Sequence, residues 1–233
     1  TKGIQVTATN EAVTSAGRNN EMAYQVAKAA KELKRDMETA LLSNVAKSAG
    51  NSTTARKLGG CPTWYETNVD AGAGGSGAGN GAIRTDGTQR AFTEDQLKGI
   101  LVSCYNEGGN PNMIMVNAFN KQKLSGFTGG STRFDAAEDR RLITSIDVYE
   151  SDFGTMQVAP NRFIRGANGT AAKVGQDALI LEMDYWSVSF LRDFSLQTPA
   201  QTKDADQRFM VAEYTLESRN EKASGMVTDL TTS

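Results

Sequence analysis

The chain has 233 residues, a formal net charge of −2 at neutral pH, two cysteines and no histidine. This length can form one large domain or two smaller ones with a substantial core. The lack of histidine excludes Ser-His-Asp and Cys-His catalysis and histidine-bound zinc, and two thiols are too few for a four-cysteine metal site. No apolar run is long enough to span a membrane, and no signal peptide is visible. The composition therefore leans away from an enzyme, and the two separated cysteines fit a reducing cytoplasm.

The first two predicted elements are a strand and a long helix. Residues 4–13 are rich in β-branched side chains and predict a strand, with Ile4 and Val6 on one side. The partner of this strand must precede residue 1, follow later in the chain or belong to another subunit. Residues 19–46 predict a helix of roughly 40 Å, capped by Asn19 or Asn20 and ended by Gly50. Its apolar stripe comprises Met22, Val26, Ala29, Ala30, Leu33, Met37, Ala40, Leu41 and Val45.

The following stretch is irregular. Residues 58–65 carry a Trp-Tyr pair between Gly and Pro residues, and we expect these rings to dock onto the protein. Residues 71–82 read AGAGGSGAGNGA. A phosphate-binding loop would need a preceding apolar strand and a following Gly-Lys-Ser/Thr, and neither is present. We therefore predict a flexible surface loop, among the most mobile parts of the chain.

An alternation of helices and a strand follows. Thr93 and Gln96 form a capping-box pattern at the start of a second helix, which ends at the pair Gly108-Gly109. Its buried stripe is Leu97, Ile100, Leu101 and Cys104. No activating base accompanies Cys104, so a small core residue is the simplest interpretation of this thiol. Residues 112–116 predict a short buried strand and residues 118–124 a short helix, which together indicate an α/β layer.

The last third of the chain predicts antiparallel strands. Residues 143–151 and 155–164 both alternate and are separated by a short Gly-containing break, which favours a hairpin. Residues 178–196 predict one or two strands, and residues 208–218 another, with a polar loop between them. These form a long hairpin, and the tail offers Met226, Val227 and Leu230 as anchors. The predicted fold class is α+β.

Five blocks of this sequence, in this order, resemble a family of tailed-phage major capsid proteins with the Hong Kong 97-type fold, long grouped as phage proteins of unknown function. They are YQVAKAAKELKRDMETALLSN (24–44), LGGCPTW (58–64), VYESDFGTMQVAPNRF (148–163), LEMDYWSVSFLRDF (181–194) and AEYTLESRNEKASGMVTDL (212–230). No block is a chemical motif. The family has an N-terminal arm that this sequence does not show, through cleavage, truncation or disorder.

The resemblance implies a domain organisation. Residues 1–18 would be the returning half of the E-loop, a hairpin that reaches over a neighbouring subunit. Residues 19–57 would contain the spine helix of the peripheral domain, and residues 58–175 most of an inserted axial domain. The antiparallel sheet of the peripheral domain would come from a long hairpin at 176–218, and residues 219–233 would return to the axial domain.

The resemblance also implies a function. The chain would be a major capsid protein that self-assembles, as pentamers and hexamers, into an icosahedral shell around double-stranded DNA, with no enzymatic activity, cofactor or metal. Portal, scaffold or decoration proteins would be further partners, and assembly would take place in the host bacterial cytoplasm. An encapsulin-like compartment, which encloses protein cargo, is the alternative. A carboxylate-dependent hydrolase is a distant third, because no converging acids are evident.

Candidate intersubunit contacts follow from these assignments. They are Ile4, Val6, Lys28, Lys31, Arg35, Glu38, Lys203, Asp204 and Asp206. The basic run on the long helix could face DNA, but the interleaved acids favour intersubunit pairing or plain solvation. Asp204 and Asp206 could bind a cation at a threefold axis, although exposed ion pairing is favoured.

Two further pairs have ordinary interpretations. Trp186 and Phe190 could form an intersubunit surface, but the core face of a sheet is the preferred interpretation. Glu150 and Asp152 flank a turn, and we interpret them as solvated acids because no third group accompanies them.

Overall fold

The structure is a computed structural model that describes residues 1–13, 17, 20–127, 147–167, 176–201 and 203–232. The helices of this part of the chain are α1 (Ala8–Ala12), α2 (Glu21–Leu42), α3 (Glu94–Asn106) and α4 (Ala118–Ser125). Its strands are β1 (Lys2–Thr7), β2 (Ser43–Asn44), β3 (Val69–Asp70), β4 (Met113–Val116), β5 (Val148–Ser151), β6 (Gly154–Pro160), β7 (Arg165–Ala167), β8 (Ala178–Leu181), β9 (Trp186–Gln197), β10 (Ala205–Ser218) and β11 (Gly225–Val227). The chain divides into two compact units, residues 1–38 with 188–215 and residues 39–187 with 216–233. No helix in the described residues is long and apolar enough to cross a membrane.

The first unit is built on a three-stranded sheet with the order β1-β10-β9. β1 pairs antiparallel with β10, which places Ile4 opposite Arg208. The first strand therefore finds its partner later in the same chain. β1 ends at Thr7, earlier than the predicted residue 13, because the Thr7 hydroxyl accepts a hydrogen bond from Asn10 N (3.4 Å) and caps α1.

The long helix is confirmed, with a shorter extent than expected. Asn20 caps its start, since its Oδ1 accepts a hydrogen bond from Ala23 N at 2.6 Å. α2 has 22 residues, about 33 Å at 1.5 Å per residue. It ends at Leu42 because Ser43 and Asn44 form β2, which pairs with β7. Gly50 is thus not the helix stop; its φ of 75° belongs to a later turn.

The second unit contains a mixed six-stranded sheet with the order β3-β11-β8-β4-β6-β5. β4 runs parallel to β6 and antiparallel to β8. Alternate residues of β8 enter two hydrophobic clusters: Ile180 packs with α3, and Leu179 packs with Tyr65 and Met226. Because β8 lies in this sheet, the long hairpin of β9 and β10 begins only at Trp186.

Several local predictions are confirmed. Thr93 and Gln96 form the capping box of α3, and its buried residues are the four predicted ones. The β5–β6 hairpin is present; residues 143–146 of the predicted strand lie outside the described residues. In the second unit, Tyr65 is fully buried with its ring centre 5.6 Å from that of Trp186. The tail anchors Met226, Val227 and Leu230 are fully buried.

The Gly-rich stretch is not the flexible surface loop that we predicted. Gly72 N donates a hydrogen bond to Asp229 Oδ2 (3.0 Å), and Gly81 N donates one to the Thr63 carbonyl (3.0 Å). A Cβ atom at Gly72 would overlap the Thr88 carbonyl oxygen. The glycines therefore allow close packing of backbone segments.

Candidate functional site

The carboxylates and thiols of the described residues are not clustered as a metal-binding centre requires. No group of three or more Cys, Asp or Glu side chains in these residues is placed to hold a metal ion. Glu150 and Asp152 are exposed at the β5–β6 turn, which confirms their interpretation as solvated acids. Burial raises the pKa of both Cys61 and Cys104 to about 12, so neither thiol is a ready nucleophile.

An open groove lies between β3 and α3. Its lining includes Asp70, Asp95 and Ser103. The Asp70 carboxylate is paired with Arg90, with Nη2 and Oδ1 2.7 Å apart. The Ser103 hydroxyl donates a hydrogen bond to the Gly99 carbonyl (3.1 Å), and the hydroxyl of Thr67, which also lines the groove, donates one to Glu221 Oε1 (2.8 Å). Both hydroxyls are thus engaged in hydrogen bonds within the fold.

The most unusual polar group of the second unit is a buried arginine. The Arg84 side chain has no exposed surface, and its Nη2 donates a hydrogen bond to Asp177 Oδ1 at 2.7 Å. Its Nη1 lies 3.0 Å from Asp229 Oδ1 and 3.1 Å from Asp86 Oδ1. We name these four residues the arginine node.

The arginine node joins distant parts of the second unit. Asn44 exchanges hydrogen bonds with the Arg84 backbone, and Gly72 N donates one to Asp229. Burial raises the pKa of Asp177 to about 6, against the lowering effect of Arg84. Burial also acts to raise the pKa of Asp229, but the charge and hydrogen bond of Arg84 prevail and lower it. The node is an internal clamp, and sequence analysis missed it.

The outer face of α2 brings four of the predicted contact residues together. Lys28, Lys31, Arg35 and Glu38 follow one another at steps of three and four residues, and the first three are exposed while Glu38 is half-buried. Elsewhere on this helix, Asp36 is paired with Lys2 in the same unit (Oδ2 to Nζ, 2.8 Å). An acid interleaved with the basic run is thus partly neutralised within the chain.

The other predicted residues fall into two groups. Lys203 and Asp204 are exposed at the tip of the β9–β10 hairpin, and the half-buried Asp206 pairs with Arg208 at 3.1 Å. Ile4 and Val6 are buried beneath α2 against Met22, Val26 and Ala29. The two side chains therefore contribute to the core of their own unit, and a contact of this strand with another subunit stays a prediction.

We interpreted Trp186 and Phe190 as residues on the core face of a sheet, and the structure agrees for Trp186 only. Trp186 is half-buried, and its Nε1 donates a hydrogen bond to Ser224 Oγ at 3.1 Å. Phe190 retains 43% of its surface, and the adjacent Leu191 retains 77%. The outer strand of the hairpin therefore exposes apolar side chains that its own unit does not cover.

Comparison with known proteins places the chain in a family. The model of the SU10 major capsid protein family matches residues 1–231. The chain belongs to this family. Its function as a member is structural: it is a major capsid protein, the subunit of an icosahedral bacteriophage shell. A search of curated proteins gives no match.

Solved structures show the same fold as this capsid protein at low sequence identity. The holo-SrpI encapsulin complex of Synechococcus elongatus PCC 7942 aligns with a TM-score of 0.57 and 13% identity, over 98% of this chain and 72% of the other. The satellite phage P4 procapsid including the size determination (Sid) protein gives 0.54 and 10%, over 99% and 69%. A Mycobacterium phage Che8 structure gives 0.50 and 12%, over 98% and 70%. The fold is thus of the Hong Kong 97-like kind found in phage and encapsulin shells.

Proposed function

We propose that this capsid protein self-assembles into pentamers and hexamers that close a shell around double-stranded DNA. The observation that carries the proposal is the family match over residues 1–231, together with a fold shared with phage shells. In such an assembly each copy makes many weak heterologous contacts, and closure of the rings supplies the stability that a single contact lacks. The protein acts without catalysis, cofactor or metal.

We infer that each of the two units corresponds to one domain of the capsid subunit. The first unit, with α2 and the β9–β10 hairpin, would be the peripheral domain, and residues 1–18 the returning half of the E-loop. The six-stranded sheet of the second unit would form the axial domain around fivefold and quasi-sixfold axes. Residues 219–233 would return to that domain, which agrees with the place of β11 beside β8.

Exposed charged side chains would contact neighbouring subunits within the shell. The α2 face of Lys28, Lys31 and Arg35 would pair with acids of adjacent copies, and the hairpin tip at Lys203 and Asp204 would meet other tips near threefold axes. DNA would be held electrostatically and without sequence preference. Portal, scaffold or decoration proteins would complete the particle, which would assemble in the cytoplasm of the host bacterium.

An encapsulin-like compartment is the second candidate, because the SrpI encapsulin aligns with a TM-score of 0.57. The experiment that separates the two is negative-stain electron microscopy of the full-length protein, with size-exclusion chromatography and an assay of nuclease-protected DNA in particles from infected cells. Polyhedral shells or hexameric sheets support assembly, and protected genomic DNA supports the capsid. A monodisperse monomer at all protein and salt concentrations, unchanged by added scaffold, would contradict both candidates.

A further inference from the structure

A tight turn in the second unit contains an Asn-Gly pair. Ala82 N donates a hydrogen bond to the Gly79 carbonyl at 2.9 Å, which closes the turn over residues 79–82. The two central residues, Asn80 and Gly81, have φ values of 50° and 74°. Positive φ at both central positions is the mark of a type I′ turn, for which Asn-Gly is a preferred sequence. The Asn80 side chain is exposed to solvent.

An asparagine that precedes glycine can react with its own backbone. The Gly81 nitrogen attacks Cγ of Asn80, the bond between Cγ and Nδ2 breaks, and the proton of the Gly81 amide leaves with Nδ2 as ammonia. The product is a five-membered cyclic imide. Water opens this imide to aspartate or to isoaspartate, in which the chain continues through the side-chain carbonyl. Glycine favours the attack because it has no Cβ to hinder the approach of its nitrogen.

The native structure engages the atoms that this reaction uses. Gly81 N donates a hydrogen bond to the carbonyl of Thr63 at 3.0 Å, and Thr63 is fully buried. Asn80 Oδ1 accepts a hydrogen bond from Lys47 Nζ at 3.0 Å, and the Gly81 carbonyl accepts one from Lys47 N at 2.8 Å. Because the nitrogen must give up its hydrogen to attack Cγ, the hydrogen bond to Thr63 has to break first.

The surroundings of the turn leave it little room to move. A Cβ atom at Gly81 would lie 2.5 Å from Lys47 Cδ, and one at Gly79 would lie 2.8 Å from Glu66 Oε2. Gly79 N also donates a hydrogen bond to the carbonyl of the buried Tyr65 at 3.1 Å. The turn is thus packed against Lys47 and residues 63–66, so it opens only when backbone hydrogen bonds of this segment break.

We propose that Asn80 is a modification site whose reaction is controlled by folding. In the closed turn Asn80 persists, and when residues 79–82 separate from Thr63 it converts to aspartate and isoaspartate. Aspartate keeps the turn, because it tolerates a positive φ as asparagine does. Isoaspartate adds a methylene group to the backbone, which displaces the Gly81 N–H from Thr63 and makes the opening irreversible. The proposal concerns the single chain and does not depend on assembly.

Peptide mapping of the full-length protein tests this proposal. One sample is kept folded and another in urea, both at mildly alkaline pH, and each is then digested with trypsin at slightly acidic pH. Asn80 lies in the tryptic peptide 58–84, and chromatography with mass spectrometry separates the asparagine, aspartate and isoaspartate forms of this peptide. We expect conversion at Asn80 to be at least about tenfold faster in urea, because the folded protein reacts only through opening.

The internal control is Asn168, which also precedes glycine and lies in the tryptic peptide 166–173. Its conversion in urea shows that the conditions support the reaction in an unfolded Asn-Gly pair. If Asn168 converts in urea and Asn80 does not, Asn80 is not a modification site. If Asn80 converts as fast in the folded protein as in urea, its reaction is not controlled by folding.

Refolding of the urea-treated sample tests the effect of the product. After removal of urea, chains with isoaspartate at position 80 are expected to be at least about threefold depleted from the protease-resistant, refolded fraction. Asn80→Asp is the matched control and is expected to refold and melt like the wild type. Equal recovery of the isoaspartate and asparagine forms would show that the added methylene group does not prevent closure of the turn.

Discussion

Arg84 and Asp177 lie 93 positions apart in the sequence and are joined by a hydrogen bond of 2.7 Å between Nη2 and Oδ1, with both side chains shielded from solvent. Asp229, 145 positions from Arg84, completes the other side of the guanidinium. The arginine node thus joins three separate segments of the second unit, those of Arg84, Asp177 and Asp229. In a shell subunit that must hold its shape against many neighbours, such a clamp keeps the segments in fixed positions.

Replacing Arg84 tests the clamp directly. Arg84→Met keeps an unbranched apolar stem but removes the guanidinium and its charge, which leaves Asp177 and Asp229 buried without a cation. We expect the free energy of unfolding to fall by about 3–5 kcal/mol, the usual cost of breaking a buried ion pair by removing one partner. Urea denaturation monitored by circular dichroism measures the change.

Arg192→Met is the matched control for Arg84→Met. Arg192 also makes two hydrogen bonds to a carboxylate, but it does so in solvent. Solvent screens an exposed pair and compensates for its loss, so the free energy of unfolding should stay nearly unchanged. Equal losses in the two variants would show that the node contributes no more than a surface ion pair.

The free energy of unfolding should depend on pH through the ionisation of Asp177. Burial raises its pKa from 3.8 to about 6, so between these values the folded state binds a proton that the unfolded state has released. The free energy of unfolding therefore falls as the pH rises from about 4 to 6, by about 3 kcal/mol from this group. Denaturation curves of the wild type and Asp177→Asn between pH 4 and 7.5 isolate the effect as their difference. A constant difference across that range would contradict the raised pKa.

The elements with local signals were predictable from the sequence. α3 follows from the capping pair Thr93 and Gln96 and from an apolar stripe, and both are properties of neighbouring residues. The end of α2 was not predictable in this way, because residues 43–46 continue a helical pattern and tertiary pairing with β7 overrides it. The pairing of β2 with β7, more than one hundred positions later in the chain, determines the conformation of residues 43–44 against their local helix propensity.

The arginine node was not predictable either, because only the tertiary structure brings its residues together. Arg84, Asp177 and Asp229 have no common spacing, and each lies between one polar and one apolar neighbour, a context that does not distinguish a buried charge from an exposed one. Ile4 and Val6 show another limit of the sequence, since an alternating strand shows which side chains share a face but not that α2 covers that face. The exposure of Leu191 was missed because a periodic pattern of apolar residues is normally interpreted as a core face.

Replacement of two glycines of the second unit by alanine should change the stability of the protein in opposite directions. At Gly72 a Cβ atom would overlap the Thr88 carbonyl oxygen, whereas at Gly99 in α3 a Cβ atom would meet nothing within 4 Å. Gly72→Ala should therefore destabilise the protein by about 2 kcal/mol or more, because backbone must move. Gly99→Ala should stabilise it by about 0.5–1 kcal/mol through helix propensity. Thermal denaturation of both variants is the measurement, and a loss at Gly99 or tolerance at Gly72 would contradict the close packing.

The two native thiols should report unfolding of the second unit. Cys61 is buried with its Sγ 3.6 Å from the Tyr65 hydroxyl, and Cys104 with its Sγ 3.6 Å from Asn68 Nδ2. Burial raises the pKa of each thiol to about 12, so the thiolate that attacks a disulfide reagent is scarce and enclosed. At pH 8 we expect both to react with Ellman's reagent more than about a hundredfold slower than the exposed thiol of Leu191→Cys. In denaturant all three should react at similar rates; fast reaction of a native thiol in the folded protein would show that its cluster opens without global unfolding.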